Sequence, residues 1–277
     1  MKKIIVSFCV FLCALGISTA QDLESVTELY NKAAAVVADN KAEAITLFEQ
    51  VLEQAAALGE DGAEMISQSQ GILPKLYLAV GKDAFGTGDF RSAIEKISKA
   101  AQLAEKFGDA ETQGDAESVI PKLYIQQGAS LVKAGDVDGA VASFEQALNL
   151  GETEIAAKQL SNIYVKKAAA CQKAKDLKGA VEAAQKSVEY LDNPNGQKII
   201  GLASLALKQN KQAADALEAY LALSPDAKDK VQIIYQLGTA LVASGENGKA
   251  CGYFKQIAQD AKWGEAARYQ LTTLKCN

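Results

Sequence analysis

Three short stretches carry the residue types of ligand-binding loops, and each lacks a part that the chemistry needs. Gly248-Lys249 has the form of the end of a phosphate-binding loop, where backbone N–H groups and a lysine hold phosphate oxygens. That loop needs a hydroxyl after the lysine and a glycine five residues before Gly248; Ala250 and Ala243 stand there. Asp136-Val137-Asp138-Gly139 opens like a calcium loop, but Ala140, Ala142 and Phe144 fill the positions that must supply further oxygen ligands. Gly86-Thr87-Gly88 lacks the third glycine of a dinucleotide fingerprint and follows no strand-like run. Paired carboxylates such as Glu152 and Glu154 are spaced as ordinary helix-surface charges.

The chain contains no histidine. That removes the commonest general base, the commonest zinc ligand and the usual pH switch together. There is no Gly-x-Ser-x-Gly elbow and no histidine to complete a triad. Catalysis needs a positioned acid, base or nucleophile, and the sequence offers no such constellation. It therefore predicts a non-enzymatic protein with no cofactor and no metal. A small-ligand binder or enzyme using an unrecognised groove is the competing reading. Net charge is −5 and the sequence pI is near 5.1, so there is no basic footprint for nucleic acid.

The first residues read as a targeting segment. Lys2 and Lys3 precede an apolar run from Ile4 to Leu15, and Ser18-Thr19-Ala20 supply small residues before Gln21. This is the pattern of a secretory signal peptide, and the run is shorter than the ~20 apolar residues of a membrane span. Residues 1–20 are expected to be removed, leaving an exported chain, periplasmic or extracellular, with no stable membrane insertion. Neither Cys9 after Phe8 nor Cys13 after Leu12 fits lipoprotein attachment.

The elements that would position any site come from an internal repeat. Leu73-Pro74-Lys75-Leu76-Tyr77 is followed by Gly81, Gly88-Asp89-Phe90, Ala93, Ile97 and Ala100. Ile120-Pro121-Lys122-Leu123-Tyr124 is followed, 47 residues on throughout, by Gly128, Gly135-Asp136-Val137, Ala140, Phe144 and Ala147. Weaker copies run through Ala44 and Phe48, through Tyr164, Ala168 and Ala180, through Gly201 and Ala213, and through Gly238, Ala250 and Phe254. Alanine and leucine are abundant and aromatic residues make up only 6%, which suits helices.

This pattern resembles the tetratricopeptide repeat (TPR) family. The resemblance implies an all-α, right-handed α-α superhelix, a solenoid of about six helical hairpins plus a C-terminal capping helix. The hairpins fall near residues 29–57, 74–106, 121–150, 161–190, 197–224 and 231–260, with the cap at 264–275, so that 21–277 form a single solenoid. A glycine inside a helix costs about 1 kcal/mol against alanine. Close helix approach is the expected compensation, with Gly81, Gly128, Gly201 and Gly238 facing the small Ala93, Ala140, Ala213 and Ala250; Ala180 takes that place in the fourth hairpin. The early repeats exceed the usual period of about 34 residues. Their extra helix falls in 60–70 and 109–118, with Pro74 and Pro121 either in a first turn or at a kink inside a longer helix.

Stacked hairpins create a surface lined by first helices, which implies a scaffold that binds a protein or peptide partner. Some family members grip a partner's C-terminal carboxylate with lysine and asparagine at set positions. Here those positions hold Leu78 and Lys82, Ile125 and Ala129, Val165 and Ala169, so that clamp is not matched. Lys75, Lys82, Lys122 and Lys133 lie on neighbouring first helices and are expected to form a positive strip, with Tyr235 of the sixth hairpin as an aromatic anchor. Of the cysteines after residue 20, Cys171 is expected buried and reduced. A cap running antiparallel to the last second helix would bring Cys276 to Cys251, predicting a disulfide.

Overall fold

Asparagine or aspartate side chains cap the start of five helices. A side-chain oxygen of Asn40, Asp89, Asp109, Asp176 and Asn193 accepts the backbone N–H three residues on, from Glu43, Ser92, Thr112, Gly179 and Gly196 respectively. Each bond satisfies one of the N–H groups that a helix start leaves open. The structure, a computed structural model, describes residues 22–276. The expected signal segment lies outside those residues.

Thirteen α-helices and no strand are found among the described residues. They fall into two compact units, divided between Asp136 and Val137. The first unit holds α1 (22–36), α2 (Lys41–Ala57), α3 (Ala63–Gly86), α4 (Phe90–Phe107) and α5 (Ala110–Ala134). A short 3₁₀ turn, Gly59–Gly62, leads into α3. The second holds α6 (Val137–Asn149), α7 (Thr153–Lys173), α8 (Leu177–Tyr190), α9 (Pro194–Ala206), α10 (Asn210–Leu223), α11 (Lys230–Ala243), α12 (Asn247–Ile257) and α13 (Gly264–Thr273). Within each unit consecutive helices pack on one another. The all-α helical-hairpin fold is thus present in both.

In the first unit one apolar core joins Ala33 of α1, Phe48 of α2, Leu73 of α3, Ile97 of α4 and Leu123 of α5. α3 and α5 are long, 24 and 25 residues, and Pro74 and Pro121 sit buried inside them. The additional helix therefore precedes each proline and continues through it. In the second unit Ala168, Ala184 and Ile200 anchor one cluster, and Leu217, Leu237 and Phe254 another that reaches Ala267 of α13.

The repeat glycines make close approaches, but their neighbour differs from the expected one. A Cβ at Gly201 would lie 2.5 Å from Leu217, and one at Gly238 would lie 2.6 Å from the Phe254 ring. At Gly81 the obstructing side chain is Ile97, with the Ala93 carbonyl oxygen at 3.2 Å. The glycine thus faces the large residue one turn beyond the alanine. Residues four apart on a helix share a face, so the alanine lets the helices come together while the larger side chain spreads across the bare glycine.

The turns that follow α3, α5, α7, α9 and α11 each place one residue in the left-handed region. Gly88, Gly135 and Gly245 take it at φ of 81°, 82° and 87°, whereas Lys175 and Lys208 take it at 62° and 61°. A side chain there clashes with the following carbonyl at a cost of about 1 kcal/mol. Lys175→Gly and Lys208→Gly are accordingly expected to raise stability by about 0.5–1 kcal/mol each, read as a higher unfolding midpoint. A fall in the midpoint would contradict the assignment.

Candidate partner-binding surface

α3 and α5 form a shallow groove of about 320 Å³, lined by Lys75, Leu78, Ala79 and Lys82 on one side and Glu111, Thr112 and Asp115 on the other. The capping of α5 fixes one wall. Asp109 receives both the backbone N–H (3.1 Å) and the hydroxyl (2.7 Å) of Thr112. Those hydrogen bonds, with Lys75 nearby, hold its carboxyl below the ordinary range. Lys75 Nζ stands 3.9 Å from Asp109 and Lys82 Nζ 3.9 Å from Asp115. Both lysines are more than half exposed. Contacts this long and this exposed contribute at most about 1 kcal/mol, so a partner's carboxylate can compete for either lysine.

This changes the expected lysine strip. Lys75 and Lys82 do lie together, but they face acids of the next first helix, giving an alternating surface rather than a positive one. Lys122 and Lys133 are exposed on α5. Exposed apolar residues stand on the same two helices, a feature not read from the sequence. Phe85 is 43% exposed and Val132 38%, and they stand 47 residues apart, one repeat, as do Lys75 and Lys122. α3 and α5 each therefore present a lysine near the middle and an exposed apolar residue near the end, and the Phe85 ring leans on Phe90 of α4 at 6.0 Å while leaving much of its surface to solvent. The repeat offset that identified the lysines identifies these too.

Tyr235 is partly engaged within the chain. Its ring packs 5.7 Å from Phe254 and 4.8 Å from Trp263, and it is only half-exposed. Trp263, just before α13, covers part of its aromatic face. Cys171 is likewise half-buried rather than buried, at the margin of the α7–α9 core. It lies in the last turn of α7, where the neighbouring helices no longer cover that helix fully. Cys251 and Cys276 are joined as a disulfide with a Cα–Cα separation of 5.7 Å, within the usual span for such a bond.

A second, larger groove of about 590 Å³ lies in the 137–276 unit among α8, α9 and α10. Its floor is Val188, Ile200, Ala216 and Ala219, and Gln185, Gln197 and Gln212 border it. Its charged groups are Lys211 and Asp215 alone, so it brings together no pair of carboxylates for acid–base work. Among the described residues no cluster of three or more His, Cys, Asp or Glu side chains is placed to hold a metal ion, and no helix is long and apolar enough to cross a membrane.

Tyrosine–carboxylate bonds fasten neighbouring helices, another feature not read from the sequence. Tyr77 donates to Glu49 at 2.7 Å, Tyr190 to Glu145 at 2.6 Å and Tyr253 to Glu218 at 3.0 Å. All three acceptors sit five residues after the repeat alanine, at Ala44, Ala140 and Ala213. Burial, then the hydrogen-bonded carboxylate, raises all three tyrosines above the ordinary range. Tyr220 donates to Asp229 at 2.7 Å, and Lys198 pairs with the same carboxylate. Burial and then Asp229 push Tyr220 up to about 12. Burial opposes ionisation of Asp229, but Lys198 and the Tyr220 hydroxyl outweigh it, so its carboxyl lies below the ordinary range.

The two signs differ. Asp229, with a lowered folded pKa, contributes stability that is present above about pH 4 and lost as pH falls through the folded value. Tyr220, with a raised one, contributes stability that is present below about pH 10 and lost as pH rises towards about 12. In an alkaline titration followed by phenolate absorbance, Tyr220→Phe is expected to remove a phase near about 12. A Tyr220→Phe profile that matches the unsubstituted chain would contradict the bond.

No family model and no curated protein matches this chain. Solved structures do. A crystal structure of MamA protein is 16% identical over 74% of this chain and 96% of its own, with a TM-score of 0.32. TTC0263, a thermophilic TPR protein in Thermus thermophilus, is 15% identical over 74% of this chain and 100% of its own, with a TM-score of 0.29. The complex of the TPR2AB domain of yeast Sti1 with pHSP90 is 16% identical over 94% and 97% of the two chains, with a TM-score of 0.32.

Proposed function

We propose that this protein is an exported, non-enzymatic scaffold that binds a protein or peptide partner on the first-helix face of its 22–136 unit. The observation that carries the reading is the recurrence on α3 and α5 of an exposed lysine, Lys75 or Lys122, with an exposed apolar residue, Phe85 or Val132, at the same repeat position. Apolar side chains supply the burial that holds a partner, and nearby charges steer and select it. The loose pairs to Asp109 and Asp115 keep the free surface from being strongly cationic, and they open to a partner's own carboxylates. The charged groups of the larger groove, Lys211 and Asp215, do not assemble an acid–base pair, which favours binding over catalysis. Export is read from the signal-like segment, and the Cys251–Cys276 bond suits an oxidising compartment.

The test is capture of the native partner from the compartment of export by the unsubstituted chain, by Phe85→Ser/Val132→Ser and by Lys75→Glu/Lys122→Glu. The apolar pair is expected to lose capture at every salt concentration. The charge pair is expected to lose it mainly at low salt, where screening is weak. Unchanged capture by the Phe85→Ser/Val132→Ser variant, with helical circular dichroism intact, would move the site elsewhere.

A further inference from the structure

The junctions that carry the chain from one hairpin to the next in the 137–276 unit each place a leucine in solvent. Leu150 follows α6 and is 49% exposed, Leu191 follows α8 and is 45% exposed, and Leu223 ends α10 and is 41% exposed. They stand ten, eleven and ten residues after Ala140, Ala180 and Ala213, in each case at or just past the C-terminal end of the second helix. Second helices of successive hairpins run in the same direction, so their C-terminal ends share one edge of the unit. Ile155, in the first turn of α7 beside Leu150, adds a fourth exposed apolar side chain there.

Single exposed apolar residues are ordinary on a protein surface. Recurrence at the C-terminal end of three successive second helices is not of that kind, and the local backbone builds it in. Leu191 is extended at φ −157°, ψ 121°. Its carbonyl is held inward by Asn193 Nδ2 at 3.0 Å and Ser161 Oγ at 3.2 Å, which turns the side chain outward. Ser161 and Ser187 are buried and bonded to each other at 3.0 Å, so that anchor is rigid. Leu150 lies in the last turn before Gly151, whose φ of 98° lets the Glu152 N–H close back on Ala147 at 3.0 Å. Leu223 is held at a helix end by the Ser224-Pro225 stop. In the 22–136 unit the apolar residues at the ends of α2 and α4, Leu58 and Phe107, stand fourteen residues after Ala44 and Ala93 and are half-buried.

The border of this edge decides what it suits. Glu152, Glu154, Glu189, Asp192 and Asp226 lie within five residues of a leucine in sequence, against Lys186 and Lys228. A second copy of this chain, itself at net charge −5, and an anionic lipid surface would both meet like charge, which costs several kcal/mol at a juxtaposed interface. We propose that this edge docks a cationic amphipathic segment of a partner protein. Its apolar side chains seat on Leu150, Leu191 and Leu223, and its lysines or arginines face the bordering carboxylates. The inference concerns a different unit and a different face from the proposed first-helix surface and stands independently of it.

The probe is a designed helical peptide with leucines on one face and lysines on the other, titrated against the full chain. Its counterpart with glutamate in place of lysine, and vesicles of phosphatidylglycerol with phosphatidylcholine, are the comparisons. The leucine–lysine peptide is expected to bind, and Leu150→Asn/Leu191→Asn/Leu223→Asn is expected to weaken it by about tenfold or more. Glu154→Lys/Asp226→Lys is expected to weaken it chiefly at low salt, and Phe85→Ser/Val132→Ser to leave it unchanged. Because the leucines are exposed, circular dichroism of the triple variant should match the unsubstituted chain. Equal binding by the triple variant would mean attraction by charge alone and would overturn the proposal. Preference for the glutamate peptide or the vesicles would overturn it too, as would self-association that disappears in the triple variant.

Discussion

Phe254→Ala is expected to lower the stability of the C-terminal hairpins by about 3–5 kcal/mol, the range for emptying a buried aromatic site. Phe254 is fully buried, and its ring lies across Gly238, where even a Cβ would intrude at 2.6 Å. Tyr235 packs on it, and Trp263 packs on Tyr235. Removing the ring therefore loosens α11, α12 and the approach to α13 together. Because α11 and α12 are held together across a bare glycine, they have little freedom to close the cavity. Urea unfolding of the two proteins measures the difference. A loss below about 1 kcal/mol would show that the site collapses without cost and that the glycine contact is not tight.

Cys251→Ser/Cys276→Ser is expected to cost about 3–4 kcal/mol, because the bond closes a loop with a sequence separation of 25 residues. The bond ties the end of α13 to the start of α12, and Ala267 of α13 is fully buried against the last core cluster. Losing it frees the cap, so Ile257, Leu271 and Leu274 become accessible to water. A dithiol reductant should lower the thermal midpoint of the unsubstituted chain and leave that of the double serine variant unchanged. A thiol titration under non-reducing conditions should find Cys171 as the free thiol among residues 22–276. Three reactive thiols there, or a midpoint indifferent to reductant, would contradict the pairing.

How much of this was legible beforehand depends on whether a signal repeats. The hairpins follow from Gly81, Gly128, Gly201 and Gly238 with their partner alanines, since a helix glycine is costly unless something uses the space. Which side chain uses it was not legible. Alanine at 93, 213 and 250 looks like the natural match for a glycine, whereas the structure sets Ile97, Leu217 and Phe254 there. The cysteine pair followed from helix direction alone. The packing of Tyr235 was not legible because its apolar partner, Trp263, sits in a connecting segment with no repeat counterpart. The lysines were visible as a repeated position, but their acidic neighbours Asp109 and Asp115 belong to the inserted helix before Pro121, outside the shared pattern. Phe85 and Val132 share one repeat position, and the three junction leucines close successive second helices. Their exposure depends on what the next hairpin covers, which spacing alone does not supply.

The central claim, that a partner docks on the first-helix face of the 22–136 unit, is tested most directly by site-specific photocrosslinking in the native compartment. A benzophenone side chain would replace Phe85 in one variant, Val132 in a second and Lys99, exposed on the second helix α4, in a third. The account predicts that the Phe85 and Val132 variants join covalently to one and the same protein, and that the Lys99 variant does not. Adducts from the Lys99 variant alone, or no adduct from either first-helix position while the partner still co-purifies, would contradict it.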